Sequence, residues 1–337
     1  MRVRDRIFIS YLRVLAMLLI LACHIVQEHN NSYINMTAQF LNVGVPIFII
    51  ISGFLYGQKE IKEKYFRWII KRVRRILIPM YFFMVFLLIV NLAIGNNIRM
   101  ANWIAYIFNL QGFQIYVHGA EHLWYLTIIM ICYLITPILN KYRRKISNKN
   151  LVIYIFIGGL LQISTSYFIN TQLGIYLIYL LLYIISYIIG CRIDIIISKK
   201  LMFSSILLAG ISGILRISAR VFFDNSILYN VIVVGYTQGL IAFCIFYIFI
   251  YMCRNIKENK IINFLDSISF EIYLVHYMYV VGPLRLMGLT NSFIVNTIIT
   301  LVISIVTAIG LKKICEKFYD LIGGVKLNKN INTSNYL

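Results

Sequence analysis

The chain has 337 residues, 61% of them hydrophobic and only 13% charged, with a mean hydropathy of +0.81. A soluble domain is close to half apolar and a quarter charged, so this composition excludes a soluble enzyme and points to a polytopic membrane protein. The net charge of +20 would suggest nucleic acid only if it covered a soluble surface.

Ten apolar segments follow in chain order, at about 7–27, 38–57, 76–95, 121–139, 151–170, 174–192, 201–217, 228–252, 267–287 and 292–313. Each is long enough to cross as a helix, and the alternation of a β-barrel is absent. The predicted fold is an all-α polytopic bundle of about ten transmembrane helices. If the N-terminus is inside, 27 of the 32 Lys and Arg fall in cytoplasmic segments. Four, Arg99, Arg216, Arg220 and Arg285, fall to the opposite loops. This asymmetry predicts an integral cell-membrane protein with both termini cytoplasmic. The basic charge then serves topology and affinity for anionic lipids or an anionic cytoplasmic ligand, with no role for nucleic acid.

The first segment carries Arg13 and His24, eleven residues apart. At ~100° per residue they share one helix face, separated by ~16 Å along the axis. A cation and an imidazole inside an apolar helix are costly in lipid, so they should face the bundle interior and mark a functional site. Glu28 stands one turn further out on that face and can orient the imidazole, or it is a solvated loop acid. The second segment, N-V-G-V-P-I-F-I-I-I-S-G-F-L-Y-G, holds Gly53 and Gly57 at packing spacing, and Pro46 should kink or break it near its outer end.

Residues 58–75 hold eight cations in eighteen positions. The apolar stripe of Ile61, Tyr65, Trp68, Ile69 and Val73 predicts an interfacial amphipathic helix leading into the third span, with Pro79 just inside. Arg72 and Arg75, three apart, can converge on one phosphate; anchoring by positive charge is the plainer role, and the two are compatible. The fourth segment opens with H-G-A-E-H-L-W-Y-L, placing Glu121 and His122 at the water boundary. The ninth carries E-I-Y-L-V-H, with Glu271 near one end and His276 near mid-membrane. Such a pair is either functional or a satisfied interhelical contact.

The six cysteines lie in spans or at their cytoplasmic edges, so no disulfide framework is expected. The histidines lack a cysteine partner and no metal site is expected. No P-loop, dinucleotide fingerprint or nucleophile elbow occurs. Residues 324–337 are polar and are expected to form a disordered cytoplasmic tail after a single transmembrane domain, 1–323.

Taken together, R-x10-H, V-G-V-P-I-F-I-I-I-S-G-F, R-V-R-R-I-L-I-P, H-L-W-Y-L and E-I-Y-L-V-H, in this order and spacing, resemble the acyltransferase 3 family over residues 5 to 315. These are integral membrane O-acyltransferases of about ten helices. The resemblance implies acyl transfer from cytoplasmic acyl-CoA to an extracytoplasmic or lipid-linked glycan hydroxyl. By frequency in the family the group is acetyl, with succinyl a minority option. It also implies that His24 is the essential histidine and that Arg13, Arg72 and Arg75 serve the donor. Many members have Asp where this chain has Pro46, so no role of that acid transfers.

On this reading the CoA phosphates rest on Arg72, Arg75 and Arg13, and the pantetheine arm spans the ~16 Å to His24. Neutral His24 takes the acceptor hydroxyl's proton as it attacks the thioester. An acyl-histidine intermediate is the other route. Glu121, His122 and His276 are further candidates without assigned roles. A polysaccharide or lipid-linked glycan exporter is the competing function, since buried ionisable groups and a kinked helix fit a transporter too.

Overall fold

The computed structural model describes residues 3–143, 148–192, 197–223, 226 and 228–321. The tail expected from 324 onward lies outside the described residues. All regular structure among them is helical: α1 (Val3–Gln27), α2 (Ser32–Leu41), α3 (Gly44–Gln58), α4 (Tyr65–Ala93), α5 (Met100–Ile107), α6 (Trp124–Tyr142), α7 (Asn148–Phe168), α8 (Thr171–Arg192), α9 (Lys199–Phe223), α10 (Val234–Met252), α11 (Lys260–Ser267), α12 (Ser269–Val280) and α13 (Phe293–Leu321).

Among the described residues, eight helical stretches are long and apolar enough to cross a membrane, and they coincide with eight of the ten expected segments. The chain is a multi-pass membrane protein. The fifth segment falls in α7, within which the described apolar stretch is Ile155–Phe168. The ninth is shorter than expected: α12 begins at Ser269, after a turn at Ile268, and ends at Val280, leaving only 12 helical residues of the stretch 267–287 in it. At ~1.5 Å per residue α12 is about 18 Å long, short of a ~30 Å hydrocarbon core.

One compact unit comprises residues 1–16, 43–65 and 131–258. The isoleucines at 47, 49, 50 and 51 are buried all round α3, the pattern of a helix enclosed by others. α3 lies against α8 because small residues line the contact. A Cβ on Gly53 would meet Ser186 Oγ and the Tyr183 carbonyl; one on Gly57, the Tyr187 carbonyl; one on Gly190, the Phe54 carbonyl. Phe8, Phe54 and Phe246 close the unit edge to face, with centroids 5.1–6.3 Å apart. Pro46 sits in the first turn of α3, where its missing N–H costs no helical hydrogen bond; the break precedes it, at Asn42 and Val43. Arg216, expected in a loop, lies within α9 and is buried, while Leu207, Ile211, Ile214 and Leu215 on the same helix are exposed, as a lipid-facing surface requires.

The other unit comprises residues 17–42, 66–130 and 259–337. α12 packs on α13, with Tyr279 and Thr307 hydroxyls 2.8 Å apart and Lys312 donating to the carbonyl and hydroxyl of Ser267 at 2.9 Å. α4 meets α13 through Phe82 and Phe318, and Tyr319 donates to the Arg74 carbonyl at 3.0 Å. The amphipathic helix expected to lead into the third span starts only at Tyr65 and is continuous with that span. Residues 59–64 are not helical, and from Tyr65 the chain forms one 29-residue helix that continues through Pro79. Membrane helices tolerate an internal proline because neighbouring groups satisfy the freed carbonyl.

Candidate functional site

His24 occupies the last turn of α1, and its Nδ1 lies 3.3 Å from Gln27 Oε1. The other end of that carboxamide faces Cys23 Sγ at 3.8 Å, and Cys23 in turn donates to the Ala38 carbonyl at 3.4 Å. Asn35 Nδ2 donates to the Gln27 carbonyl at 2.6 Å. The end of α1 is thus stitched to α2, and Gln27 is held in place. With the proton on Nδ1 shared with Gln27, Nε2 carries the lone pair a general base needs. The ring is partly exposed.

Of the two places open to Glu28, orienting His24 or standing as a loop acid, the structure puts it in the loop beyond α1. Its carboxylate pairs with Arg285, at 2.7 Å to Nη2 and 3.0 Å to Nε. The i,i+3 neighbour Gln27 reaches the imidazole instead.

Two further imidazoles stand against His24. The His276 ring centroid is 5.4 Å away, and His122 is 4.8 Å from His276. Tyr277 completes the group: its ring meets His24 edge-on at 4.9 Å and stacks on His122 at 4.9 Å and 21°. One backbone carbonyl, that of Tyr273 in α12, accepts both His122 Nε2–H and His276 Nδ1–H, each at 2.8 Å. The Tyr273 hydroxyl returns a bond to the His122 carbonyl at 2.6 Å. This reciprocal lock fixes both tautomers. It leaves His122 Nδ1 and His276 Nε2 as buried atoms without a hydrogen-bond partner, and both are lone-pair acceptors. Buried polar atoms are nearly always satisfied, and here two bare acceptors stand beside a third imidazole.

The turn that carries His122 is strongly determined. Tyr106 donates to the Ala120 carbonyl at 3.0 Å and accepts Val117 N–H at 3.2 Å. Glu121 accepts Gly119 N–H at 2.8 Å and lies 3.3 Å from His118 Nδ1. Gly119 has φ +90°, and a Cβ there would stand 2.7 Å from Pro283 Cδ, so only glycine fits. His118 and His122 are four apart, a spacing that on a helix can serve a metal. The short 3-10 turn Glu121–Leu123 sends them apart, His118 to the surface with Glu121 and His122 inward to Tyr273.

Of the expected residues, His24, His122 and His276 are therefore brought together, with Glu121 in the supporting turn. Arg72 and Arg75 share a face of α4 at half-buried positions, and the Arg72 guanidinium lies 5.1 Å from the Trp68 ring centroid. Arg13 is buried on α1, which is continuous through His24. Glu271 is buried in the first turn of α12. Gln27, Tyr273 and Tyr277 were not anticipated. The signal for the two tyrosines was present, since at i and i+4 they flank His276 on one helix.

A family model described as an acyltransferase domain, acyltransferase 3, matches residues 6–312. No curated protein and no solved structure matches the chain.

Proposed function

From the premise that the chain belongs to the acyltransferase 3 family, we propose that it transfers an acyl group, acetyl by choice, from acyl-CoA to a hydroxyl of a glycan or lipid-linked glycan. The observation that supports this reading most is the partly exposed imidazole of His24, tied through Nδ1 and backed by two buried imidazoles with bare acceptor nitrogens.

The proposed chemistry is general-base catalysis. His24 Nε2 takes the proton of the acceptor hydroxyl while its oxygen attacks the thioester carbonyl. The carbon–sulfur bond breaks, and the proton passes to the departing thiolate, giving the acyl ester and free CoA. His122 Nδ1 and His276 Nε2 accept hydrogen bonds from sugar hydroxyls or a pantetheine amide N–H and so position the reactants. Arg72 and Arg75 hold CoA phosphates, for which paired guanidiniums are well suited, and Arg13 steadies the arm. The asymmetric Lys and Arg distribution supports placing residues 58–75 and both termini in the cytoplasm, with the protein in the cell membrane.

The test is thiol release from acetyl-CoA by the purified protein in proteoliposomes. Acceptor-stimulated CoA release, lost in His24→Ala, is the expected result. Glycan transport without CoA release would replace this reading with that of an exporter.

A further inference from the structure

The end of α4 and the segment joining it to α6 line a half-open cavity of about 350 Å³ that the histidine chemistry does not use. That volume lies within the usual range for small-molecule sites. The lining is rich in carboxamides: Asn91, Asn96, Asn97 and Asn102 face it, beside Trp103 and Arg99. A carboxamide offers two donors and an acceptor, matching hydroxyl groups that also do both.

Internal bonds set the frame without exhausting it. Asn96 Nδ2 donates to Asn91 Oδ1 at 2.8 Å, and Asn102 Nδ2 donates to the Tyr116 carbonyl at 2.7 Å. Among the described residues no hydrogen bond holds the Asn97 carboxamide. Trp103 is half-buried and forms part of the lining, and an indole is the side chain suited to carry the C–H face of a sugar ring. Arg99 is the single Lys or Arg in the lining, whereas a CoA diphosphate calls for clustered cations. The cavity is also tied to the catalytic centre. His118 lines it and is bonded to Glu121, whose chain neighbour is His122.

We propose that this cavity is a carbohydrate-binding site that takes a neutral, polyhydroxylated sugar unit. Its role as acceptor subsite rests on the acyl-transfer reading; the carbohydrate class rests on the lining alone. The purified full-length protein in detergent is screened on an array of mono- to tetrasaccharides spanning neutral, N-acetylated and acidic sugars. Neutral or N-acetylated sugars bind the wild type. Trp103→Ala and Asn97→Ala each weaken that binding at least tenfold, while Trp103→Phe, which keeps a ring, retains most of it. An unchanged melting temperature shows that the variants are folded. The proposal is overturned if no sugar binds, if only acidic sugars bind, or if the two alanine variants bind as the wild type does. CoA release from acetyl-CoA, measured in parallel, separates the two readings. Sugar binding through Trp103 without CoA release upholds the site and removes the transferase reading; CoA release without sugar binding does the reverse.

Discussion

Gln27→Leu isolates the orienting contact that the structure assigns to His24. The substitution removes the oxygen 3.3 Å from Nδ1, together with the weaker amide contact to Cys23, and leaves a shorter apolar side chain. A neutral hydrogen bond contributes about 0.5–1.5 kcal/mol, and one this long belongs in the middle of that range or below. About 1 kcal/mol corresponds to a roughly fivefold fall in rate. Because the bond holds the base and not the substrate, the fall should appear in kcat with KM for acetyl-CoA nearly unchanged. Gln27→Glu keeps an acceptor oxygen and should recover most of the rate, which a merely structural loss at this position would not do. Glu28→Gln is the matched control. Its partner Arg285 is 64% exposed, so the ion pair contributes at most about 1 kcal/mol to stability, and kcat should stay near wild type. The assay is steady-state thiol release with expression and insertion checked for each variant. A larger loss of kcat in Glu28→Gln than in Gln27→Leu would refute the assignment and restore Glu28 as the orienting group.

His24→Ala should reduce CoA release by at least a hundredfold while leaving an inserted, folded protein, because a positioned imidazole base is worth about 10²–10⁴; near-normal turnover would remove it from the mechanism. Arg72→Lys and Arg75→Lys should raise KM for acyl-CoA several-fold, since an ammonium cannot make the planar fork, and unchanged kinetics would leave both as topological anchors. Lys64→Cys and Asn31→Cys, in a cysteine-free background, should react with an impermeant thiol reagent from opposite sides of the membrane, and labelling from one side would break the proposed topology. Gly57→Leu should lower thermal stability by about 3 kcal/mol or more, the upper end for overpacking, because its side chain meets the Tyr187 backbone; a melting temperature like that of the wild type would show that α3 and α8 can separate at little cost.

The helices were legible because apolar length alone decides whether a segment can span, and Arg13 and His24 stood out because lipid makes ionisable groups costly. The early end of α12 at Val280 was missed. Hydropathy averages over apolar residues on both sides of Gly282 and Pro283, so it carried the segment past the turn that these two residues mark. The start of the helix that leads into the third span was placed too early for a related reason. The apolar stripe at Tyr65, Trp68, Ile69 and Val73 is real, but it belongs to the first turns of α4, and a stripe does not say where a helix starts.

The histidine site divides along a similar line. His122 and His276 were each visible as an ionisable group in an apolar context, yet they are 154 residues apart and no local pattern couples them. What joins them is the Tyr273 carbonyl, a backbone atom that every residue possesses and no sequence displays. Their tautomers follow from that carbonyl, and with them which ring nitrogen remains bare. The choice between Gln27 and Glu28 turned on a similarly remote fact. Both are close enough along α1 to approach His24, and Glu28 is the stronger acceptor. Arg285, 257 residues away, engages the carboxylate and leaves the imidazole to the amide. Residue types in spans thus identify which groups can do chemistry here, while the assignment of partners among them depends on contacts between distant helices.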